Sequence, residues 1–277
     1  MTPLDYEFLR KLLKERSGLD LSSDKQYLVE SRLVPLARKA ALQGIPELVQ
    51  KMKAGGEALI TEVVEAMTTN ETFFFRDKIP FDHLRETILP ALVQARASRQ
   101  TLRIWCAASS TGQEPYSVAM CVKEFAGLAG WRVEILATDL SQEVLEKSKA
   151  GIYSQFEVQR GLPIQMLVKY FTQIGELWQL NLLQDFSHLG KFDVIFCRNV
   201  LIYFDRGTKT AIFERLARMI EPDGVLTLGA AESVVGISEA FKPYLDRRGL
   251  YRPNAEGSVR ADAKGLLTRA LRAVAAG

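Results

Sequence analysis

Apolar positions in the first 70 residues recur at intervals of three and four, the spacing of a helix with one buried face. Leu9, Leu12, Leu13 and Leu19 mark a first segment, and Leu28, Leu33, Leu36 and Ala40 a second, for which Asp24 is the candidate cap. Further helices are predicted from about Pro46 to Lys53 and from Glu57 to Met67, with Gly44, Gly55 and Gly56 as punctuation. Pro35 interrupts the second segment and predicts a kink or a break there. No strand pattern occurs, so residues 1–70 read as a small all-helical domain, at the low end of independent size.

Residues 71–99 read as an inter-domain linker and helix. From residue 100 the pattern alternates between short apolar runs and helical stretches. Strands are predicted at Leu102–Ala107, Arg132–Thr138, Phe192–Cys197 and Val225–Leu228, with Leu250–Arg252 as a final edge strand. Helices are predicted at Glu114–Ala126, Gln142–Ala150 and Thr208–Met219, and a turn at Glu221–Gly224. Repeated βα units predict a mainly parallel sheet with helices on both faces, an α/β Rossmann-like fold over residues 100–253. Functional loops then belong at the carboxyl ends of the strands. Residues 254–277 read as a linker and a short helix at Leu266–Val274.

Composition changes this picture little. The chain has 277 residues, 47% of them hydrophobic and 25% charged, which excludes wholesale disorder. No apolar run approaches the ~20 residues of a membrane span, and Met1–Arg16 lacks the apolar core of a signal peptide. The net charge of +3 is too mild to argue for nucleic acid. Cys106, Cys121 and Cys197 have no metal-ligand spacing and read as reduced thiols of a cytoplasmic protein.

The candidate chemistry lies in Ile104–Pro115, a strand, a small-residue loop and a helix start. A dinucleotide site would show G-x-G-x-x-G, but Gly112 is the one glycine of that pattern. Glu114 places a carboxylate where a phosphate would otherwise bind, so a phosphate-free, cationic cofactor such as S-adenosylmethionine fits better than NAD(P). The alternative for Glu114 is helix-dipole stabilisation. Asp139 ends the next strand, where a doubly wound fold hydrogen-bonds a ribose diol. Its alternative is to cap the following helix, a task for which Ser141 is available.

Five segments carry a resemblance to a known family. Thr69-Asn70-Glu71-Thr72-Phe73-Phe74-Phe75-Arg76 resembles the T-N-x-T-x-F-F-R signature of the CheR chemoreceptor glutamate methyltransferases. Ser110–Ser117, Ala137–Asp139 and Gly151–Tyr153 are similar to the family's cofactor loop and next segment, and Phe192–Phe204 to its next long motif. The resemblance spans about residues 5–253 and leaves the tail uncovered. It implies methyl transfer from S-adenosylmethionine to receptor glutamates, with S-adenosylhomocysteine as product. It implies that Asn70, Thr72 and Arg76 approach the cofactor, and that Glu114 and Asp139 hold its amino-acid and ribose parts in either order. Asn181-Leu182 and Asn199-Val200 would frame the adenine and the methyl-donor end.

Arg76 is the candidate to orient the substrate carboxylate, its alternative being an ion pair with Asp77 or Glu71. Tyr203 is a candidate hydroxyl donor near the transferred methyl, its alternative an aromatic core residue. His83 and His188 lie outside the matched motifs and read as structural. Lys25, Arg32 and Lys39 recur every seven residues, with Arg38 beside them. They resemble the basic helix that family members present to the acidic receptor, unless they are simply a solvated face. The partner implied is a chemoreceptor cytoplasmic domain, with no nucleic acid and no membrane insertion, and the enzyme is expected to be a monomer. One departure stands out: Phe171–Leu180 runs into Asn181-Leu182-Leu183, about a dozen residues short of the family's three-stranded β-subdomain. That shortening motivates the alternative of a non-catalytic cofactor-binding or scaffold protein.

Overall fold

The computed structural model describes residues 1–169, 177–179 and 187–254. The chain divides into two compact units. One comprises Met1–Glu71 with the returning segment Tyr203–Asp205, and the other Thr72–Ile202 with the chain from Arg206 onward.

The first unit is built from α1 (Pro3–Ser17), α2 (Gln26–Lys39), α3 (Ile45–Lys53) and α4 (Glu57–Met67). A capping box starts α1: the Thr2 hydroxyl accepts from the Asp5 N–H, and the Asp5 carboxylate accepts from the Thr2 N–H. Gly18, at φ 77°, ends it in the left-handed conformation that glycine adopts without steric penalty. Leu9, Leu13, Val29, Leu33, Leu48 and Val63 form the core. The break expected at Pro35 does not occur, and α2 runs on to Lys39. Val29 and Leu33 before the proline and Ala37 after it are all buried, so packing on both sides holds the helix through it. Nor does Asp24 cap α2; Lys25 occupies that position, and Asp24 instead accepts from the Ser22 hydroxyl. The returning segment joins this unit through a Leu19–Phe204 bridge, the Asp20 N–H on the Tyr203 carbonyl and a Lys14–Asp205 ion pair of 2.9 Å.

The second unit opens with α5 (Ile79–His83), which passes through a π-helical turn (Leu84–Ile88) into α6 (Leu89–Ala95). Phe81, Leu84, Ile88, Leu89 and Leu92 share a core with Leu102, Ile104 and Cys106, so this stretch packs within the second unit. The sheet contains β1 (Thr101–Ala107), β2 (Arg132–Asp139), β3 (Leu177–Gln179), β4 (Phe192–Cys197), β5 (Ile220–Leu228), β6 (Phe241–Pro243) and β7 (Leu250–Pro253). Its order is β3-β2-β1-β4-β5-β7-β6, parallel from β3 to β5 and antiparallel for the last two pairings. The helices of this unit are α7 (Gln113–Glu124), α8 (Gln142–Ala150), α9 (Gln155–Gln159), α10 (Ile164–Lys169) and α11 (Arg206–Met219). Every residue of β4 is buried, as expected of a central parallel strand covered on both faces.

Two strand expectations change. Residues 221–224 are not a turn before a strand but an irregularity within β5: Ile220 pairs with Phe192, while Val225 pairs with Val194. The strand at 250–253 is not the edge, because β6, three residues long, lies outside it. The helix expected at Leu266–Val274 falls outside the described residues.

Candidate active site

The loop after β1 is set by left-handed backbone at Ala108 (φ 59°), Ser110 (φ 49°) and Gly112 (φ 97°). Such conformations cost free energy at non-glycine residues and cluster at functional sites. The loop is tied to the end of β2 by Asp139, which accepts from the Ser110 N–H at 2.8 Å and the Ser141 N–H at 3.0 Å. Ser141 is the N-cap of α8, so the capping task falls to it. A Cβ on Gly112 would come within 2.1 Å of Ser148 Oγ and 2.8 Å of Tyr153 Oη, so no side chain fits. Tyr153 in turn donates to the Thr111 carbonyl at 2.6 Å. The buried hydroxyls of Ser109 and Ser148 have no partner among the described residues.

Glu114 and Arg198 form a second node. Arg198 Nη1 donates to Glu114 Oε2 at 2.8 Å, and Nη2 donates to the Asp77 carboxylate at 2.7 Å and the Arg76 carbonyl at 2.8 Å. Burial pushes the Glu114 carboxyl above its ordinary pKa, and Arg198 works against that rise. The strap that Arg198 holds is itself strained, with Phe75, Asp77 and Lys78 at φ 52°, 66° and 48°. The Phe75 N–H donates to Ser117 Oγ on α7 at 2.9 Å, and Phe74 and Phe81 are buried beneath it. Arg76 carries its guanidinium 5.6 Å from the Phe73 ring, and Asp77, one of its two expected alternative partners beside Glu71, pairs with Arg198.

Past β4, Asn199 is left-handed (φ 58°), and Glu232 accepts the N–H groups of Asn199, Val200 and Leu201. A cleft of about 580 Å³ opens at the end of β5, lined by residues including Asp77, Pro80, Gly229, Glu232, Arg248 and Tyr251.

Of the residues expected at the site, seven belong to the second unit: Thr72 and Arg76 at the strap, Gly112 and Glu114 where the β1 loop enters α7, Asp139 at the end of β2, and Asn199 and Val200 after β4. Asn70 and Tyr203 belong to the helical unit, as do Lys25, Arg32, Arg38 and Lys39. Unbroken α2 puts Arg32 and Lys39 on one face, with Lys25 at its N-cap. Arg32 is committed elsewhere: it donates to the Met67 and Thr68 carbonyls at 2.6 and 2.7 Å and to Thr69 Oγ1 at 3.0 Å, closing the end of α4. Asn181 and Leu182 lie outside the described residues, as does most of the shortened β-region. Sequence reasoning missed Arg198, Asp77 and Glu232 as site-forming residues. Arg198 sits inside the matched Phe192–Phe204 motif, and Glu232 follows the carboxyl end of β5, where loops of this fold carry function.

The geometry suits a phosphate-free cationic nucleoside. The β1 loop is closed by an acid, Asp139, and by the Glu114–Arg198 pair, leaves orphaned hydroxyls, and meets its helix at a glycine with no room for a Cβ. Among the described residues no cluster could hold a metal ion, and no helix is long and apolar enough to cross a membrane.

Comparison with known proteins agrees. Residues 70–249 match the family described as CheR methyltransferase, SAM binding domain, and residues 4–68 match CheR methyltransferase, all-alpha domain. Chemotaxis protein methyltransferase 1 of Pseudomonas aeruginosa is 41% identical over 256 residues, covering 86% of this chain and 93% of that protein. Chemotaxis protein methyltransferase Cher2 of Pseudomonas putida is 40% identical over 260 residues, covering 86% and 94%. The Vibrio anguillarum chemotaxis protein methyltransferase is 39% identical over 257 residues, covering 86% and 92%. A sheet with its site loops at the strand ends, an acid-closed β1 loop and these matches together place the chain in the CheR methyltransferase family, with S-adenosylmethionine as its cofactor.

Proposed function

We propose that the protein methylates glutamate side chains on the cytoplasmic helices of chemoreceptors, forming glutamyl methyl esters in chemotaxis adaptation. The observation that carries this reading is the Asp139-tied loop after β1, which offers carboxylate and hydroxyl groups and no glycine-rich phosphate cradle. S-adenosylmethionine supplies, when bound, an activated methyl group on a sulfonium. Ser109, Gly112 and Asp139 would hold its nucleoside, with Asp139 facing the ribose diol. Asn70, Thr72, Asn199 and Val200 complete the donor site, and Asn181 and Leu182 are assigned to it by family resemblance.

The acceptor needs no general base. A glutamate with a pKa near ~4.3 is already ionised at neutral pH. A carboxylate oxygen forms the new bond to carbon as the carbon–sulfur bond breaks and its electron pair passes to sulfur. Positioning is therefore the main task, and alignment of two reactants can supply ~7–11 kcal/mol. Arg76 orients the acceptor carboxylate by charge-assisted hydrogen bonds, and Tyr203 donates a hydroxyl beside the transferred methyl. Residues 1–70 act as the receptor-docking domain, through Lys25, Arg38, Lys39 and the partly committed Arg32. The protein acts as a cytoplasmic monomer.

Transfer of labelled methyl from S-adenosylmethionine to purified receptor cytoplasmic fragments, with and without their C-terminal ends, tests this reading. Label on the fragment supports it. Donor binding without label on any fragment would leave a scaffold role instead.

A further inference from the structure

We propose that Glu232 is a positioning residue for methyl transfer, its carboxylate fixing the backbone of residues 199–201 at the donor site. The proposal rests on the reading above that Asn199 and Val200 frame the donor.

Both oxygens of Glu232 are fully engaged. Oε2 accepts from the Asn199 and Gly229 N–H groups, each at 2.8 Å, and Oε1 accepts from Val200 at 2.9 Å and Leu201 at 2.8 Å. Three successive amides converge because Asn199 is left-handed, a geometry that makes a concave anion-binding nest. The chain fills this nest with a carboxylate of its own, brought from the segment that follows β5. Cys197 and Leu228, the last residues of β4 and β5, are paired, so the two loops leave the sheet side by side. They cross with no slack: a Cβ on Gly229 would lie 2.8 Å from both Asn199 Nδ2 and Glu232 Oε2, and 3.0 Å from the Asn199 nitrogen.

The node is polar and part-buried, at the segment that the proposed function assigns to the donor, and not in the hydrophobic core. Glu232 lines the cleft that Asp77 also lines. Its charge opposes ionisation of Glu114, which pairs with Arg198 immediately before the held segment. Removing the carboxylate would leave four part-buried amides to find other acceptors, and the left-handed turn at Asn199 would lose what over-determines it.

Glu232→Gln tests this, because its amide group must turn a donor toward one pair of these N–H groups whichever way it is oriented. Gly229→Ala disturbs the same crossing from the other side. Three quantities are read: S-adenosylhomocysteine affinity by calorimetry, hydrogen exchange at residues 199–201, and the melting temperature. Both variants should weaken S-adenosylhomocysteine by about tenfold or more and speed exchange at 199–201, since part-buried amides left unsatisfied are costly. A role confined to stability would lower the melting temperature and the active fraction while leaving the dissociation constant unchanged, and that result would overturn the proposal. If neither variant folds, wild-type protein decides. Its 199–201 amides without ligand should exchange as slowly as those of β4, and fast exchange there would overturn the proposal. Wild-type protein that binds no S-adenosylhomocysteine would instead refute the donor-site reading itself.

Discussion

Arg198 and Glu114, 84 positions apart in sequence, meet in a 2.8 Å ion pair with side chains only 1% and 10% exposed. Through its other nitrogen Arg198 also holds Asp77 and the Arg76 carbonyl, so one guanidinium joins the helix after β1, the loop after β4 and the strap that carries the candidate orienting arginine. Buried pairs of this kind add little net stability over apolar residues, but breaking one leaves an uncompensated charge.

Arg198→Ala should therefore destabilise the protein by about 3–5 kcal/mol in chemical denaturation. The double variant Arg198→Ala with Glu114→Gln should recover part of that loss, because the Glu114 charge is then no longer stranded. Equal stability of the double and the single variant would show that the pair is not coupled.

Asp139→Ala should weaken S-adenosylhomocysteine binding measured by calorimetry. Two effects add: loss of the proposed ribose acceptor, and release of the Ser110 and Ser141 amides that the carboxylate now holds. Each unsatisfied buried donor costs roughly 1–3 kcal/mol. Unchanged affinity would refute the ribose assignment.

Arg76→Ala should lower the transfer rate far more than cofactor affinity. Its carbonyl, which Arg198 uses, survives the substitution, so the strap keeps that tie. Equal losses in rate and affinity would contradict an orienting role for the side chain.

Acid should weaken the turn around α9. Glu157 accepts from Lys147 Nζ at 2.5 Å and from the Ser154 N–H and hydroxyl, which lowers its carboxyl from an ordinary 4.5 to about 2. A carboxyl lowered on folding contributes stability above the unfolded value and loses it as pH falls through the folded one. The stability difference between wild type and Glu157→Gln should thus be present near neutral pH and shrink between about pH 4.5 and 2. It is modest, since the pair is partly solvated. A difference independent of pH would contradict the assignment.

Much of this was legible in the sequence because local pattern and final burial coincide. The unbroken apolar run Phe192–Cys197 announces a strand covered on both faces, and all six residues are buried. No break follows at Pro35, because Val29, Leu33 and Ala37 pack on both sides of it and hold the helix through. The Pro222–Gly224 turn signal misled because those residues bulge within β5, where Asp223 pairs with Arg96. Strand β6 is three residues long, Phe-Lys-Pro, and carries no periodicity to read. At the site, Gly112, Glu114 and Asp139 were visible from their places after strands. The tasks of Arg198 and Glu232 were not, because their partners lie 84 and 31–33 positions away and the fold alone brings them together.

The most direct test is peptide-level mass spectrometry of a receptor cytoplasmic fragment incubated with the protein and S-adenosylmethionine. The expected result is a single-methyl mass increase on glutamate side chains that alkaline hydrolysis removes, with S-adenosylhomocysteine formed in equal amount. Methyl groups on another residue type, resistant to base, or turnover of the donor with an unmodified receptor, would contradict it.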